Sequence, residues 1–227
     1  MNMNLYYSPG ACSLAAHIAM REAGLSCKCV RVDLMRKTVA ADGSNYLAIN
    51  PMGQVPSLLL ADGVLLTECA AVLQYIADLA PSARLAPPAG SLERYRLMSI
   101  LNFIATELHK AFAPLFHPHT PEDYKAAVRC DRRALLHIEA MLADGRSWLM
   151  GEDFSVADAY LFSVLRLGPR IGIALEAFPQ TAEFMARAAG RVAVGRALAA
   201  EGLHAAAPSA PHPASPHAGS ASLHAIA

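Results

Sequence analysis

Tyr6-Tyr7-Ser8-Pro9-Gly10-Ala11-Cys12-Ser13-Leu14 is the stretch on which the reading of this chain turns. Leu5-Tyr6-Tyr7 has strand-forming residues, Pro9-Gly10 breaks the strand, and Leu14, Ile18 and Leu25 recur at helical spacing. The pattern predicts a strand, a turn and a helix that runs to about Glu22 and is stopped by Gly24. Cys12 then falls at or just before the first helical turn. Unpaired backbone N–H groups and the helix dipole favour an anion at that end. A thiolate is such an anion, and a thiol pKa of ~8.5 falls by one to several units in this setting. The same cysteine also reads as a small buried hydrophobe selected for packing.

Working outward, the 227-residue chain carries 19 Lys+Arg and 19 Asp+Glu, with no basic stripe and no acidic block. That balance argues against nucleic-acid binding by electrostatics. No apolar run approaches the ~18 residues of a membrane helix, and Met1-Asn2-Met3-Asn4 does not read as a signal peptide. The expectation is a soluble, cytoplasmic, helix-rich protein with no membrane partner. Cys12, Cys27, Cys29, Cys69 and Cys130 are odd in number and lack C-x-x-C spacing. This argues against a disulfide framework, a zinc ribbon and a two-cysteine redox motif. Cys27 and Cys29 fall on one face of a predicted strand and are read as packing residues. His204, His212, His217 and His224 match no ligand spacing, so no metal is expected.

A second strand is expected over residues 27–33, then a polar loop with a short helix over residues 34–50. Lys37 lies there and by itself reads as a solvated surface lysine. Asn50-Pro51-Met52-Gly53-Gln54-Val55-Pro56 leads into a buried strand at residues 58–60. Asp62-Gly63 forms a hairpin turn and Leu65-Leu66-Thr67 the returning strand. A cis Pro56 would leave the Val55 N–H and C=O free to pair with an extended peptide; a trans proline at a strand edge is the other reading. Thr67-Glu68-Cys69-Ala70 opens a further helix, which places Glu68 and Cys69 at a second anion-favouring start. Glu68 alone also reads as a complement to the helix dipole. Four short strands with helices between and after them suit a small mixed sheet covered on its faces.

Residues 81–91 are proline-rich and form the expected linker between residues 1–80 and a helical domain at 92–204. One helix is expected from Leu92 past Lys110, bent or ended by Pro114. Thr120-Pro121-Glu122-Asp123 reads as a capped start of a helix reaching about Leu142. Ser155-Val156-Ala157-Asp158 reads as a second capping box, opening a helix so apolar that it belongs at the centre of a bundle. Two shorter helices follow, near residues 181–189 and 192–201. Residues 205–227 are Ala, Pro, Ser, His and Gly with little else, and read as a disordered tail.

Taken together and in order, four stretches closely resemble bacterial beta-class cytosolic glutathione transferases. They are Tyr6-Tyr7-Ser8-Pro9-Gly10-Ala11-Cys12-Ser13, Asn50-Pro51-x-Gly53-Gln54-Val55-Pro56, Leu66-Thr67-Glu68 and Ser155-Val156-Ala157-Asp158-Ala159-Tyr160. The resemblance implies an α+β protein with a thioredoxin-like N-terminal domain and an all-α helical-bundle C-terminal domain. It implies a homodimer with a glutathione site in each subunit, glutathione as co-substrate, a small hydrophobic electrophile as partner, and no metal. Cys12 would lie beside the glutathione sulfur and form a mixed disulfide with it, with the Ser13 hydroxyl a rival partner for the thiolate. The Val55 backbone would pair with the tripeptide ahead of a cis Pro56. Glu68 and Cys69 would hold its γ-glutamyl end, and Lys37 would contact it.

The helix carrying Asn102, Thr106, His109 and Lys110 would face the site, with His109 toward the sulfur. Independently, those four lie at i, i+4, i+7 and i+8, one polar stripe on a helix. Ser155 and Asp158 are structural. Cys69 stands where relatives place a hydroxyl or glycine, and offers only a weak S–H donor. Three activities stay open: conjugation of glutathione, glutathione-dependent reduction of disulfides or peroxides through Cys12, and binding of ligands without turnover.

Overall fold

A computed structural model describes residues 3–203. The expected tail at 205–227, with His204, lies outside the described residues. The N-terminal part comprises β1 (Asn4–Tyr7), α1 (Leu14–Glu22), β2 (Lys28–Asp33), β3 (Thr38–Val39), β4 (Ser57–Leu59), β5 (Leu65–Leu66) and α2 (Cys69–Leu79). The strands form one sheet in the order β3-β2-β1-β4-β5. β1 and β2 run parallel because a helix connects them, whereas β4 and β5 follow as an antiparallel hairpin. Leu5 and Leu58 face each other in register and are fully buried, which fixes the sheet against α1 and α2. This is the expected thioredoxin-like arrangement, with one correction. β3 lies in the stretch read as a loop, pairing Val39 with Val32. Two residues are too few to show an alternating pattern.

The remaining chain is helical: α3 (Leu92–Phe103), a π-helical segment at Ile104–His109, α4 (Lys110–Phe116), α5 (Glu122–Cys130), α6 (Arg133–Leu142), α7 (Val156–Leu165), α8 (Gly168–Ile171), α9 (Pro179–Ala189) and α10 (Val192–Ala200). Two expectations need correction here. The helix placed between Thr120 and Leu142 is two helices, and no side chain caps α5, whose flanking residue is Pro121. The break falls at Asp131, whose carboxylate accepts the Arg133 N–H at 3.1 Å and so starts a new helix. The single helix through Lys110 is interrupted by the π turn, which rotates His109 relative to Asn102 and Thr106. Pro114 stands inside α4 rather than ending it.

Every residue of α7 is buried, as the apolar run predicts. α1 packs on both α7 and α10, so the first helix of the sheet sits directly on the bundle core. Among the described residues no helix is long and apolar enough to cross a membrane. The Asp158 carboxylate organises the start of α7. It accepts the Leu149 N–H at 2.8 Å, the Ser155 N–H at 2.8 Å and the Ser155 hydroxyl at 2.7 Å. Burial pushes the Asp158 carboxyl up to about 6 against these three donors.

Asp158→Ala leaves two buried N–H groups without an acceptor, at about 1–3 kcal/mol each. The expected loss is about 2–5 kcal/mol of unfolding free energy in a urea titration. A change below about 1 kcal/mol would show that α7 does not need this cap.

Candidate active site around Cys12

The site begins with the turn between β1 and α1. Gly10 adopts φ +71°, and the Ala11 N–H closes the turn onto the Ser8 carbonyl at 3.0 Å. Ser13 is fully buried just ahead of α1. Its oxygen accepts the Ser8 N–H at 3.2 Å and its hydroxyl donates to the Ser8 carbonyl at 3.3 Å. Ser13 is therefore occupied in holding the turn, which corrects its expected role as a rival partner for a thiolate. Cys12 projects the other way, and its thiol donates to the Val55 carbonyl at 3.1 Å.

Val55 is delivered by a loop that is tied at several points. Tyr46 Oη lies 2.8 Å from the Gln54 carbonyl and 2.9 Å from Ser57 Oγ. Asn50 Nδ2 donates to the same two groups, each at 2.9 Å. Gly53 has φ +61°, and a Cβ there would lie 2.9 Å from Leu47 Cδ2 and 3.0 Å from Lys37 Cδ. Lys37, itself at φ 56°, crosses this glycine to donate from Nζ to the Gly53 carbonyl at 2.9 Å. The Val55–Pro56 peptide bond is cis. The Val55 carbonyl already takes the Cys12 thiol, but its second lone pair can still meet another donor.

The third wall is the start of α2. Glu68 precedes it at φ 63°, ψ 118°, a conformation that costs a non-glycine residue about 1–3 kcal/mol. Its carboxylate is exposed. Cys69 is 7% exposed and turns inward, its S–H 3.8 Å from the Cys12 carbonyl. The thiol expected as only a weak donor to the γ-glutamyl end is thus turned toward the Cys12 backbone. Backbone N–H groups in the first turn of a helix lack an intrahelical partner, so they can serve an anion where this thiol does not.

Cys12, Cys69 and His109 form one electrostatic unit. The Cys12 pKa is lowered to about 5, chiefly by hydrogen bonding from the Cys69 side chain to the ionised sulfur, whereas beside the neutral thiol the Cys69 S–H faces the Cys12 carbonyl. Burial opposes that shift, and hydrogen bonding and charge from His109 reinforce it. Cys69 is pushed well above the usual thiol range, first by burial and then by the sulfur of Cys12. Burial works against protonation of His109, but Cys12 wins and raises its pKa. His109 Nδ1 lies 3.0 Å from the Tyr160 hydroxyl. Tyr160 was read only as part of an apolar helix. A buried phenol, which needs a polar partner, was the available signal. Asn102, Thr106 and Lys110 are exposed, and Thr106 Oγ1 donates back to the Asn102 carbonyl at 3.1 Å. Of the predicted stripe, His109 is the member held against Cys12.

A thiol at the start of the first helix of a thioredoxin-like sheet, facing a helical bundle, defines a thiol-centred, two-part protein class. The family model described as "Glutathione S-transferase, N-terminal domain" matches residues 1–78, and "Glutathione S-transferase, C-terminal domain" matches residues 103–191. The chain is 50% identical over 193 residues to glutathione S-transferase GstA of Escherichia coli O157:H7, covering 85% of this chain and 95% of that protein. A sphingomonad glutathione S-transferase solved in complex with glutathione is 47% identical, with a TM-score of 0.84 over 88% of this chain and 100% of its own. A bacterial beta-class glutathione S-transferase from Sphingomonas chungbukensis is 45% identical, with a TM-score of 0.81 over 88% of this chain and 100% of its own. The chain belongs to the glutathione S-transferase family.

Because the folded state binds the Cys12 proton less tightly than the unfolded chain, this group contributes stability that is fully present above the unfolded thiol pKa. That contribution is lost as pH falls through about 5. In the difference spectrum between the wild-type chain and Cys12→Ser, far-ultraviolet thiolate absorbance should disappear across the same midpoint. Cys69→Ala removes the largest stabilising donor and should move the midpoint up by at least about one unit. A wild-type midpoint in the ordinary thiol range would overturn this electrostatic account.

Proposed function

We propose that the chain is a cytoplasmic, homodimeric glutathione transferase that joins glutathione to small hydrophobic electrophiles, with Cys12 at the glutathione sulfur. The observation that carries this reading is the convergence on Cys12 of the Val55 backbone and the α2 start, with Cys12 Sγ 3.1 Å from the Val55 carbonyl. An extended tripeptide meets the Val55 peptide groups in the manner of an added strand. Glu68 takes the ammonium of the γ-glutamyl end, and the α2 N-terminus its carboxylate. Lys37, crossing Gly53 beside the same loop, takes the glycyl carboxylate. The bundle side, including His109 and Tyr160, faces the electrophile. Exposed Met52, Leu92 and Tyr95 supply apolar surface for a second subunit.

In conjugation, the glutathione thiolate attacks the electrophilic carbon and the leaving group departs. Two thiolates side by side repel each other, so bound glutathione and Cys12 together hold one proton between them. Cys12–SH then donates to the glutathione thiolate and lowers its pKa. The lowered Cys12 pKa in the free protein also favours a second activity of the same site. The Cys12 thiolate attacks a mixed disulfide of glutathione at the glutathione sulfur and expels the other thiolate. Free glutathione thiolate then attacks the Cys12–glutathione bond, releasing glutathione disulfide and restoring Cys12.

Glutathione at about 100 times its Kd should raise unfolding free energy by roughly 2.7 kcal/mol, read as a higher melting temperature. An unchanged melting curve at millimolar glutathione would count against the whole assignment. Cys12→Ala should abolish reduction of small glutathione mixed disulfides while keeping part of the conjugation of a chloronitrobenzene. Equal loss of both activities would make Cys12 indispensable to conjugation and overturn the donor role. Sedimentation at micromolar protein should give a dimer.

A further inference from the structure

A second cluster of nucleophilic and titratable side chains lies away from Cys12, on the face formed by α1 and β2. Cys29 Sγ is exposed and lies 3.7 Å from Nε2 of His17. Nδ1 of His17 lies 3.2 Å from Oε1 of Glu201, and both of these side chains are essentially buried. The other Glu201 oxygen accepts the Gly10 N–H at 2.9 Å, which fixes the carboxylate. Cys27 Sγ lies 3.9 Å from Cys29 Sγ. Read from sequence as two packing residues, these thiols instead stand at the surface end of a Cys–His–Glu relay. Among the described residues no such group is placed to hold a metal ion. The Arg21 guanidinium and the His17 imidazole both face Cys29, and this positive charge suits a small anionic molecule.

We propose that Cys29 is a second reactive thiol of this protein, one that takes up small anionic disulfides as a mixed disulfide. The Cys29 thiolate attacks one sulfur of the disulfide, the S–S bond breaks, and the other half leaves as a thiolate. One protein thiolate is consumed and one small thiolate is released, with no further oxidant required. Cys27 is the S–H donor to Cys29, not the attacking group. Its pKa is pushed up, first by the Cys29 sulfur and then by burial. Cys29 is shifted the opposite way, by Cys27 first and then by His17.

The charged and titratable groups around Cys29 act in the same direction. From α1, His17 and Arg21 face it, and both favour the thiolate. From β1, Tyr7 has its pKa raised, so it stays neutral there. Behind His17 stands Glu201, and against burial Cys29 first and Glu201 second raise the imidazole pKa to about 9. From β2 itself, Arg31 acts on neighbouring Tyr7 and adds positive charge to the face. Glu201 also holds the Gly10 turn ahead of Cys12, so Cys27 and Cys29, which lie on β2 and its approach, are the side chains whose replacement separates this centre from the transferase reading.

The test is the rate of labelling of each cysteine by dithiobis(nitrobenzoate), an anionic aromatic disulfide, followed by peptide mass mapping of the full chain between pH 6 and pH 8. Cys130, also exposed, is the internal reference. An ordinary exposed thiol slows by about tenfold for each pH unit below its pKa. A low-pKa thiolate is individually less nucleophilic, so the shape of the profile and not the absolute rate is decisive. Cys29 should give a flat profile over this range, where an ordinary thiol falls about a hundredfold. Cys27→Ala should shift the Cys29 midpoint upward, and Cys29→Ser should remove the label without changing chloronitrobenzene conjugation. His17→Gln should do the same to the midpoint; if that variant fails to fold, the wild-type and Cys27→Ala profiles decide. A Cys29 profile parallel to that of Cys130, or no label on Cys29 at pH 6, would overturn the proposal.

Discussion

A single buried carboxylate, Glu201, holds the two halves of this protein in register. It follows α10, the last helix of the bundle, yet its oxygens are spent on Gly10 of the β1–α1 turn and on His17 in α1. A carboxylate with no exposed surface is tolerated only where partners replace the water it has lost. Removing one partner of such an arrangement costs about 3–5 kcal/mol, because a charge is left buried and uncompensated. The constraint runs both ways. The turn that presents Cys12 depends on a residue 191 positions beyond Gly10, and the seating of α10 depends on that turn.

Much of the fold is legible from local sequence because it is locally encoded. The Pro9-Gly10 break, the Asp62-Gly63 hairpin and the Ser155–Asp158 box each specify geometry within a few residues. Where the reading failed, the decisive partner was either too short or too far away. β3 is two residues long and exists because β2 offers it an edge. The break between α5 and α6 depends on Asp131 competing for the backbone N–H of Arg133, an outcome that helical periodicity does not reveal. The π turn in the Asn102–Lys110 stretch carries no proline or glycine to announce it.

The site divides along the same line. Cys12, Val55, Pro56 and Glu68 are legible because each sits at a break between elements, where backbone groups lie open to a ligand. Lys37 gained a place from resemblance alone, and the structure sets it across Gly53 beside that loop. Ser13 turns onto Ser8 and Cys69 onto the Cys12 backbone, because neighbouring positions at a helix start point in different directions and sequence does not say which way each turns. Tyr160, His17 and Glu201 were invisible for a different reason. Each acts through a contact with a residue far along the chain, and two of them lie in stretches whose pattern speaks only of packing.

The two thiol centres repeat one physical device with different consequences. In each, one cysteine carries the charge and a second supplies an S–H donor, so that one sulfur is shifted down and its neighbour up. In each, a histidine stands beside the charged sulfur and is itself held by an oxygen. The oxygens differ. His109 meets the neutral phenol of Tyr160, whose own pKa burial pushes upward. His17 meets a carboxylate, and although burial opposes protonation, Cys29 and Glu201 together raise its pKa to about 9. An imidazole held by a carboxylate stays charged at neutral pH and serves as a fixed counter-ion. His109, held by a neutral hydroxyl, has Cys12 as the group that raises its pKa against burial. The two histidines thus differ in the oxygen behind them, a carboxylate at His17 and a phenol at His109, while each is raised first by its own cysteine.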